Sequence, residues 1–125
     1  MNIKILNFEP MNNVHLNEIK LLEKLINELN ENKNVTDTLE EFIKDVEEHF
    51  AFEESLMKKY NFFAYIPHKM EHDKILNELY TLRDKNNEYL KKYFNERFIP
   101  WLNNHIETID TVTAGYFNMI GAEVK

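Results

Sequence analysis

Histidine and carboxylate residues in this sequence are spaced so that several of them could bind metal together. The chain contains five histidines, which are His15, His49, His68, His72 and His105. Glu53 follows His49 by four residues, and His72 follows His68 by four. On a helix, residues four apart point within roughly 40° of each other and lie ~6 Å apart along the axis, so each pair can direct two ligands at one point. Since imidazole and carboxylate groups are common ligands of transition metals, the spacing predicts a metal site assembled from several helices.

The segments that carry these residues have the hydrophobic periodicity of helices. Apolar residues recur every three or four positions, which predicts helices at about 13–30, 37–60, 67–86 and 88–114. In the second segment, His49 and Glu53 continue the inward stripe between Val46 and Leu56. The potential ligands are therefore expected on the inner faces of the helices.

Prolines, glycines and asparagines mark the predicted ends of the helices. The first dozen residues, which include Pro10 and several asparagines, are predicted to form an extended N-terminal arm. Pro67 is best tolerated in a first helical turn, so a helix should begin near it. Pro100 predicts a kink or a helix restart between residues 96 and 100. Gly115 is expected to end the last helix before a short tail from Tyr116 to Lys125.

The composition also indicates an all-α fold. The 125 residues are 43% hydrophobic and 30% charged, and they include only two glycines and three prolines, which favours long helices over turns. Helices of similar length joined by short loops predict an up-down-up-down antiparallel four-helix bundle. Residues 1–125 are expected to form a single domain.

Charge and cysteine content exclude several classes of function. The net charge of −7 makes nucleic acid and anionic membranes unlikely partners. The absence of cysteine excludes disulfides and thiolate ligands, and it fits a reducing compartment. The sequence has neither a secretory signal nor an apolar run long enough to span a bilayer, so a cytoplasmic location is expected.

Burying all of these polar groups together would be costly without a cation. Five imidazoles and up to three carboxylates fall on inward faces, and each unpaired group would cost several kcal/mol. A histidine on its own is more often an ordinary hydrogen-bonded core residue. The joint occurrence favours a cluster of cations.

The order of the potential ligands along the chain matches the pattern of a known family. One histidine on the first helix is followed by His-x3-Glu, His-x3-His and His-x4-Asp on the next three, namely His15, His49, Glu53, His68, His72, His105 and Asp110. Two local stretches agree as well, His49-Phe-Ala-Phe-Glu-Glu-Ser-Leu-Met57 and Trp101-Leu-Asn-Asn-His105. The sequence resembles the hemerythrin and bacteriohemerythrin family of non-haem di-iron oxygen-binding proteins, and the resemblance extends over almost the whole chain.

This resemblance implies two iron ions joined by an oxo or hydroxo bridge. One iron would be held by three histidines and the other by two, with His68, His72 and His105 on the first and His15 and His49 on the second. Glu53 and Asp110 would bridge both irons. Residues five apart on a regular helix point about 140° apart, so helix geometry alone would not have paired Asp110 with His105.

The resemblance further implies reversible binding of O2 at the open position of the five-coordinate iron, for oxygen storage, delivery or sensing. Bound oxygen is stable only in an apolar pocket without proton donors. The candidates for its walls are Leu22, Phe50, Leu76, Trp101 and Leu102.

Glu18 departs from the family pattern, because relatives usually have an apolar residue three positions after the first histidine. It lies on the inward stripe of the first helix, unless a small rotation turns it to solvent. Pointing inward, Glu18 could be an extra ligand of the second iron or a proton donor in the oxygen pocket. Either role would indicate a di-iron redox enzyme with peroxidase, NO-reducing or ferroxidase activity. A third hypothesis is an oxygen- or iron-responsive interaction module.

Overall fold

The computed structural model describes residues 2–124, so that Met1 and Lys125, the ends of the predicted arm and tail, lie outside the described part. It shows an antiparallel four-helix bundle with up-down-up-down topology. The first three helices are α1 (Glu9–Asn30), α2 (Thr36–Lys59) and α3 (Tyr65–Tyr80). What we call the fourth helix, residues 87–120, consists of α4 (Asn87–Tyr93), a π-helical turn (Phe94–Phe98), α5 (Ile99–His105), a second π-helical turn (Ile106–Asp110) and α6 (Thr111–Ile120).

Aromatic side chains fill the core on both sides of the middle of the bundle. On one side, Phe42 of α2 meets Phe94 and Phe98 of the fourth helix edge to face, with ring centroids 5.7 and 5.4 Å apart. On the other side, Phe117 packs against Phe8 and Phe62, with centroids 5.2 and 6.2 Å apart. The inward histidines of α2 and of the fourth helix lie between these two aromatic clusters in sequence, and therefore at mid-height in the bundle. Among residues 2–124, no helix combines the length and the hydropathy needed to cross a bilayer.

The N-terminal arm is shorter than predicted, because α1 begins at Glu9 rather than near residue 13. Pro10 lies in the first turn, where its missing N–H removes no intrahelical hydrogen bond. The side chain of Asn12 accepts a hydrogen bond from the Leu6 N–H at 2.8 Å and donates one to the Leu6 carbonyl at 3.0 Å. Asn12 thus holds the arm against α1, and the prediction of an extended arm over the first dozen residues was wrong for residues 9–12.

The third helix begins at Tyr65, two residues before the predicted start, and Pro67 lies in its first turn. It ends at Tyr80, and a short 3-10 turn over Thr81–Asp84 leads to the last connection. The side chain of Asn86 caps the fourth helix by accepting a hydrogen bond from the Tyr89 N–H at 2.9 Å.

The fourth helix passes through Pro100 without restarting. The irregularity predicted there takes the form of the π-helical turn Phe94–Phe98 directly before the proline. Gly115 does not end the helix, which continues to Ile120 and makes most of the predicted tail helical. The chain instead leaves the helix at Gly121, whose φ of 67° is the left-handed conformation that glycine adopts readily.

Candidate metal centre

Seven polar side chains converge between the two aromatic clusters, and each is at most 3% exposed. They are His15, His49, Glu53, His68, His72, His105 and Asp110. Within residues 2–124, several of their inward atoms have no hydrogen-bond partner, namely Nε2 of His15, His68, His72 and His105, Oε1 of Glu53 and both carboxylate oxygens of Asp110. Because unpaired buried polar atoms are costly, so many in one place fit a binding site for cations.

Glu53 and Asp110 each turn one oxygen toward the same three histidines. Oε1 of Glu53 lies 3.3 Å from Nε2 of both His68 and His72. Oδ1 of Asp110 lies 3.1 Å from Nε2 of His68 and 3.2 Å from Nε2 of His105. These five residues offer ligand atoms that all lie within 4.8 Å of one another, which suits one cation. We call this group the three-histidine position.

The second oxygen of each carboxylate faces the other two histidines. Oε2 of Glu53 lies 2.5 Å from Nε2 of His49 and 3.6 Å from Nε2 of His15. Oδ2 of Asp110 lies 3.1 Å from Nε2 of His15. We call this group the two-histidine position. Each carboxylate therefore has one oxygen in each of the two positions.

The second π-helical turn explains how Asp110 reaches the centre. In a regular α-helix, Asp110 would point about 140° away from His105. The turn over Ile106–Asp110 closes i→i+5 hydrogen bonds, so that residues five apart come to the same side of the helix. Reasoning from regular helix geometry could not have found Asp110, and only the family resemblance pointed to it.

The ring of His68 is oriented by a threonine on the fourth helix. The Thr113 hydroxyl lies 2.8 Å from Nδ1 of His68 and donates its own proton to the Ile109 carbonyl at 3.1 Å. The hydroxyl oxygen therefore accepts the Nδ1 proton of His68. This assignment leaves the lone pair of Nε2 directed at the three-histidine position.

Carboxylates lie behind the other two rings of that position. Oε2 of Glu54 is 2.9 Å from Nδ1 of His72. Oε1 of Glu71 is 3.5 Å from Nδ1 of His105, which is a longer contact. The Glu54 hydrogen bond favours the tautomer of His72 whose Nε2 faces the centre, whereas Nδ1 of His105 has no hydrogen-bond partner within the described residues.

Glu18 lies behind the ring of His49, on the side that faces away from the two-histidine position. It is 1% exposed, and its Oε1 is 3.0 Å from Nδ1 of His49, while Nε2 of the same ring faces Glu53. Rotation of Glu18 to solvent is thus excluded. The geometry also does not support an extra ligand or a proton donor in the oxygen pocket, because the imidazole ring separates Glu18 from the centre.

The carboxylates raise the pKa of His15 and His68 when no cation is bound. Burial lowers the pKa of His15, but its contacts with Asp110 and Glu53 outweigh this effect and raise it to about 9. Burial also lowers the pKa of His68, and the same two carboxylates raise it to about 9. Burial and the charge of Glu53 oppose ionisation of Asp110, yet His105 and its neighbours hold the pKa of Asp110 well below its usual value. Protons therefore compete with cations for this centre.

Two of the five residues predicted to line an oxygen pocket stack on histidine rings. The Phe50 ring is parallel to that of His72 with centroids 3.8 Å apart, and Trp101 covers His105 at 4.6 Å. The other three belong to the apolar core or pack against it, and they are Leu22, Leu76 and Leu102. Their role in binding oxygen stays a prediction.

An apolar pocket of about 180 Å³ is lined by His68, on the side of the ring that Thr113 contacts. None of the five predicted pocket residues lines it. Its walls are Phe62, Ala64, Pro67, His68, Ile109, Val112 and Thr113.

Comparison with known proteins agrees with this arrangement. A family model described as the hemerythrin HHE cation binding domain matches residues 7–116. The chain belongs to the hemerythrin family. A bacteriohemerythrin from Aquifex aeolicus is 38% identical over 111 residues, which cover 83% of this chain and 85% of that protein. A hemerythrin-like protein from Naegleria gruberi is 36% identical over 78% of this chain and 79% of its own, and a myohemerythrin from Sipunculus nudus is 33% identical over 58% and 57%. No solved structure gave a significant match.

Membership of the hemerythrin family implies non-haem iron as the cation. The structure fits this metal independently, because the converging atoms are imidazole nitrogens and carboxylate oxygens, which suit iron. A thiolate site is excluded, since the sequence contains no cysteine.

The sequence alone did not predict the groups that contact the outer nitrogens of His68, His72 and His105. Thr113 could have been suspected, because it lies one turn after Asp110, and Glu54 directly follows Glu53. Nothing in the sequence singles out Glu71.

Proposed function

We propose that the protein binds dioxygen reversibly at a carboxylate-bridged pair of iron ions, for storage, delivery or sensing of oxygen. The supporting observation is the division of the Glu53 and Asp110 oxygens between a three-histidine and a two-histidine position. The two-histidine position has one protein ligand fewer. A small external molecule can therefore complete it.

Bound ferrous ions would supply the electrons that dioxygen draws on when it binds, one from each ion. The part of the chain itself would be to keep water and protons away from the centre. Phe50 and Trp101 cover two of the histidine rings, and Leu22 is fully buried in the surrounding core. Because reversible binding requires that no acid protonate the bound oxygen, an apolar enclosure favours a carrier over a reductase.

A di-iron redox enzyme was the rival hypothesis, and it depended on Glu18 lying near the open position. The carboxylate instead contacts the outer nitrogen of His49. This contact supports reversible oxygen binding over the enzyme, because it places the Glu18 carboxylate on the far side of the His49 ring.

The test is the optical spectrum of the reduced, iron-loaded protein through repeated cycles of air and argon. We expect an oxygenated spectrum that appears in air and disappears under argon over several cycles. The control is Asp110→Asn, which weakens one of the two bridges and should shorten the life of the oxygenated form. Irreversible oxidation of the wild type within seconds, with release of hydrogen peroxide, would contradict the proposal and favour the enzyme.

A further inference from the structure

The acceptors behind the site histidines differ in how deeply they are buried. The side chain of Glu18, behind His49, is 2% exposed, whereas that of Glu54 is 19% exposed and that of Glu71 is 37% exposed. Among residues 2–124, His49 is thus the site histidine with a fully buried carboxylate behind it. At the same position, Nδ1 of His15 has no hydrogen-bond partner within the described residues.

Burial makes the contact between Glu18 and His49 stronger than the contacts that the more exposed Glu54 and Glu71 make with His72 and His105. A hydrogen bond to a carboxylate strengthens where the local dielectric is low, and neither partner can exchange it for water. An ionised carboxylate can only accept, so it requires a proton on Nδ1 of His49. The lone pair of Nε2 is then available to a metal, and its basicity increases.

The contact also joins the two helices that form the two-histidine position. Glu18 lies one turn after His15 on α1, and it reaches His49 on α2. The rings of His15 and His49 lie edge to face with centroids 5.0 Å apart. The Glu18 to His49 hydrogen bond therefore fixes both the orientation of one ring and its distance from the other.

We propose that Glu18 is a positioning residue that holds His49 in its metal-binding orientation and thereby sets the metal affinity of the two-histidine position. This inference rests on the proposed function, because it concerns one of the two cation positions. It assigns Glu18 a role that leaves the three-histidine position unaffected, since the Glu18 contact is with His49, and His68 and His72 have hydrogen-bond acceptors of their own.

The experiment is a titration of the metal-free protein with Co²⁺, which accepts the same ligands as Fe²⁺ and absorbs visible light. Glu18→Leu removes the acceptor, and Glu18→Gln keeps the shape and a weaker, neutral acceptor. Glu41→Gln is the matched control, because it removes one negative charge from a side chain that is 57% exposed. Circular dichroism checks that each variant is folded.

We expect Glu18→Leu to weaken the second equivalent of Co²⁺ by roughly 10- to 100-fold and to leave the first equivalent unchanged. Glu18→Gln should fall between Glu18→Leu and the wild type, and Glu41→Gln should match the wild type. If both equivalents weaken together, or neither does, the proposal is overturned. It is also overturned if Glu41→Gln reproduces the effect of Glu18→Gln, since net charge would then be the cause.

A proton spectrum separates this inference from the proposed function. The hydrogen-bonded Nδ1 proton of His49 should be visible in the wild type and exchange rapidly with water in Glu18→Leu. Binding of fewer than two Co²⁺ ions by the wild type would refute the two-iron function. The proton spectrum alone would then decide whether Glu18 holds His49. An Nδ1 proton equally protected in both proteins would show that Glu18 does not hold His49.

Discussion

Removing the metal should leave a protein whose free energy of unfolding falls as the pH rises from about 6.5 to about 9. In the metal-free centre, protonated His15 and His68 form ion pairs with Glu53 and Asp110. The pKa of each histidine is about 9 in the folded protein, against 6.5 for the model side chain. Since the folded pKa is the higher one, this stabilisation is complete below pH 6.5 and is lost as the pH rises through 9.

The size of the effect follows from these pKa values. The difference between 6.5 and about 9 corresponds to about 3 kcal/mol for each histidine, at about 1.4 kcal/mol per pH unit. Although burial and the charge of Glu53 oppose it, His105 and His15 lower the pKa of Asp110, and that contribution is lost only in acid and does not alter the trend above pH 6.5. Because His15 and His68 share Glu53 and Asp110, their contributions do not add in full, but even one of them is a sizeable part of the roughly 5–15 kcal/mol that is typical of a whole domain.

Urea denaturation of chelator-treated protein at about pH 6, 7.5 and 9 measures this decline. The metal-loaded protein should behave differently, because metal binding requires deprotonated histidines and strengthens as the pH rises. Asp110→Asn is the control variant, since it removes the carboxylate closest to both His15 and His68 and should flatten the pH profile. A flat profile for the metal-free wild type would refute the idea that these imidazoles are held as cations between the two carboxylates.

Four other substitutions test the metal centre and the end of the fourth helix. His105→Ala should release both irons, because it removes a ligand from the three-histidine position and because His105 lies on the helix that also supplies Asp110 to both positions. Metal analysis that finds two irons per chain would contradict this. Thr113→Val removes the acceptor from His68 and should weaken the first equivalent of Co²⁺ by roughly tenfold or more, whereas an unchanged titration would count against the contact. Gly121→Ala should lower the free energy of unfolding by about 1 kcal/mol, because alanine is strained at the positive φ of this residue. Gly115→Ala should raise the free energy of unfolding by a few tenths of a kcal/mol to about 1 kcal/mol, because the added Cβ would meet no other atom within 4 Å. Equal denaturation midpoints for the two glycine variants would be inconsistent with the assignment of Gly121 as the helix end.

Hydrophobic periodicity predicted the helices well but not their ends. The all-α bundle was confirmed, because the apolar stripes extend over many turns and leave little choice of fold. Helix ends depend on a few specific contacts and not on a stripe of apolar residues. The hydrogen bonds between Asn12 and Leu6 allow α1 to begin early, and only the backbone conformation distinguishes Gly121 from Gly115 as a terminator.

The residues that face the metal centre were easier to predict than the groups that contact the outer nitrogens of the histidine rings. Helical spacing places His49 with Glu53, and His68 with His72, on inward faces without any knowledge of how the helices pack. The outer contacts depend on the relative heights of neighbouring helices. Thr113, for example, meets a histidine 45 residues earlier in the chain. No local pattern contains that information.

The π-helical turn Ile106–Asp110 interrupts the regular fourth helix and places Asp110 in the metal centre. A π-helical turn has poorer backbone hydrogen bonding than an α-helix, and such turns often occur at functional sites. Here the hydroxyl of Thr111 donates to the Ile106 carbonyl at 2.8 Å, which gives that group a partner five residues away. The turn brings Asp110 to the side of His105, where its two oxygens face both metal positions. A regular helix would keep better backbone hydrogen bonds but would turn this carboxylate away, so the turn is a requirement of the metal centre and not of the bundle.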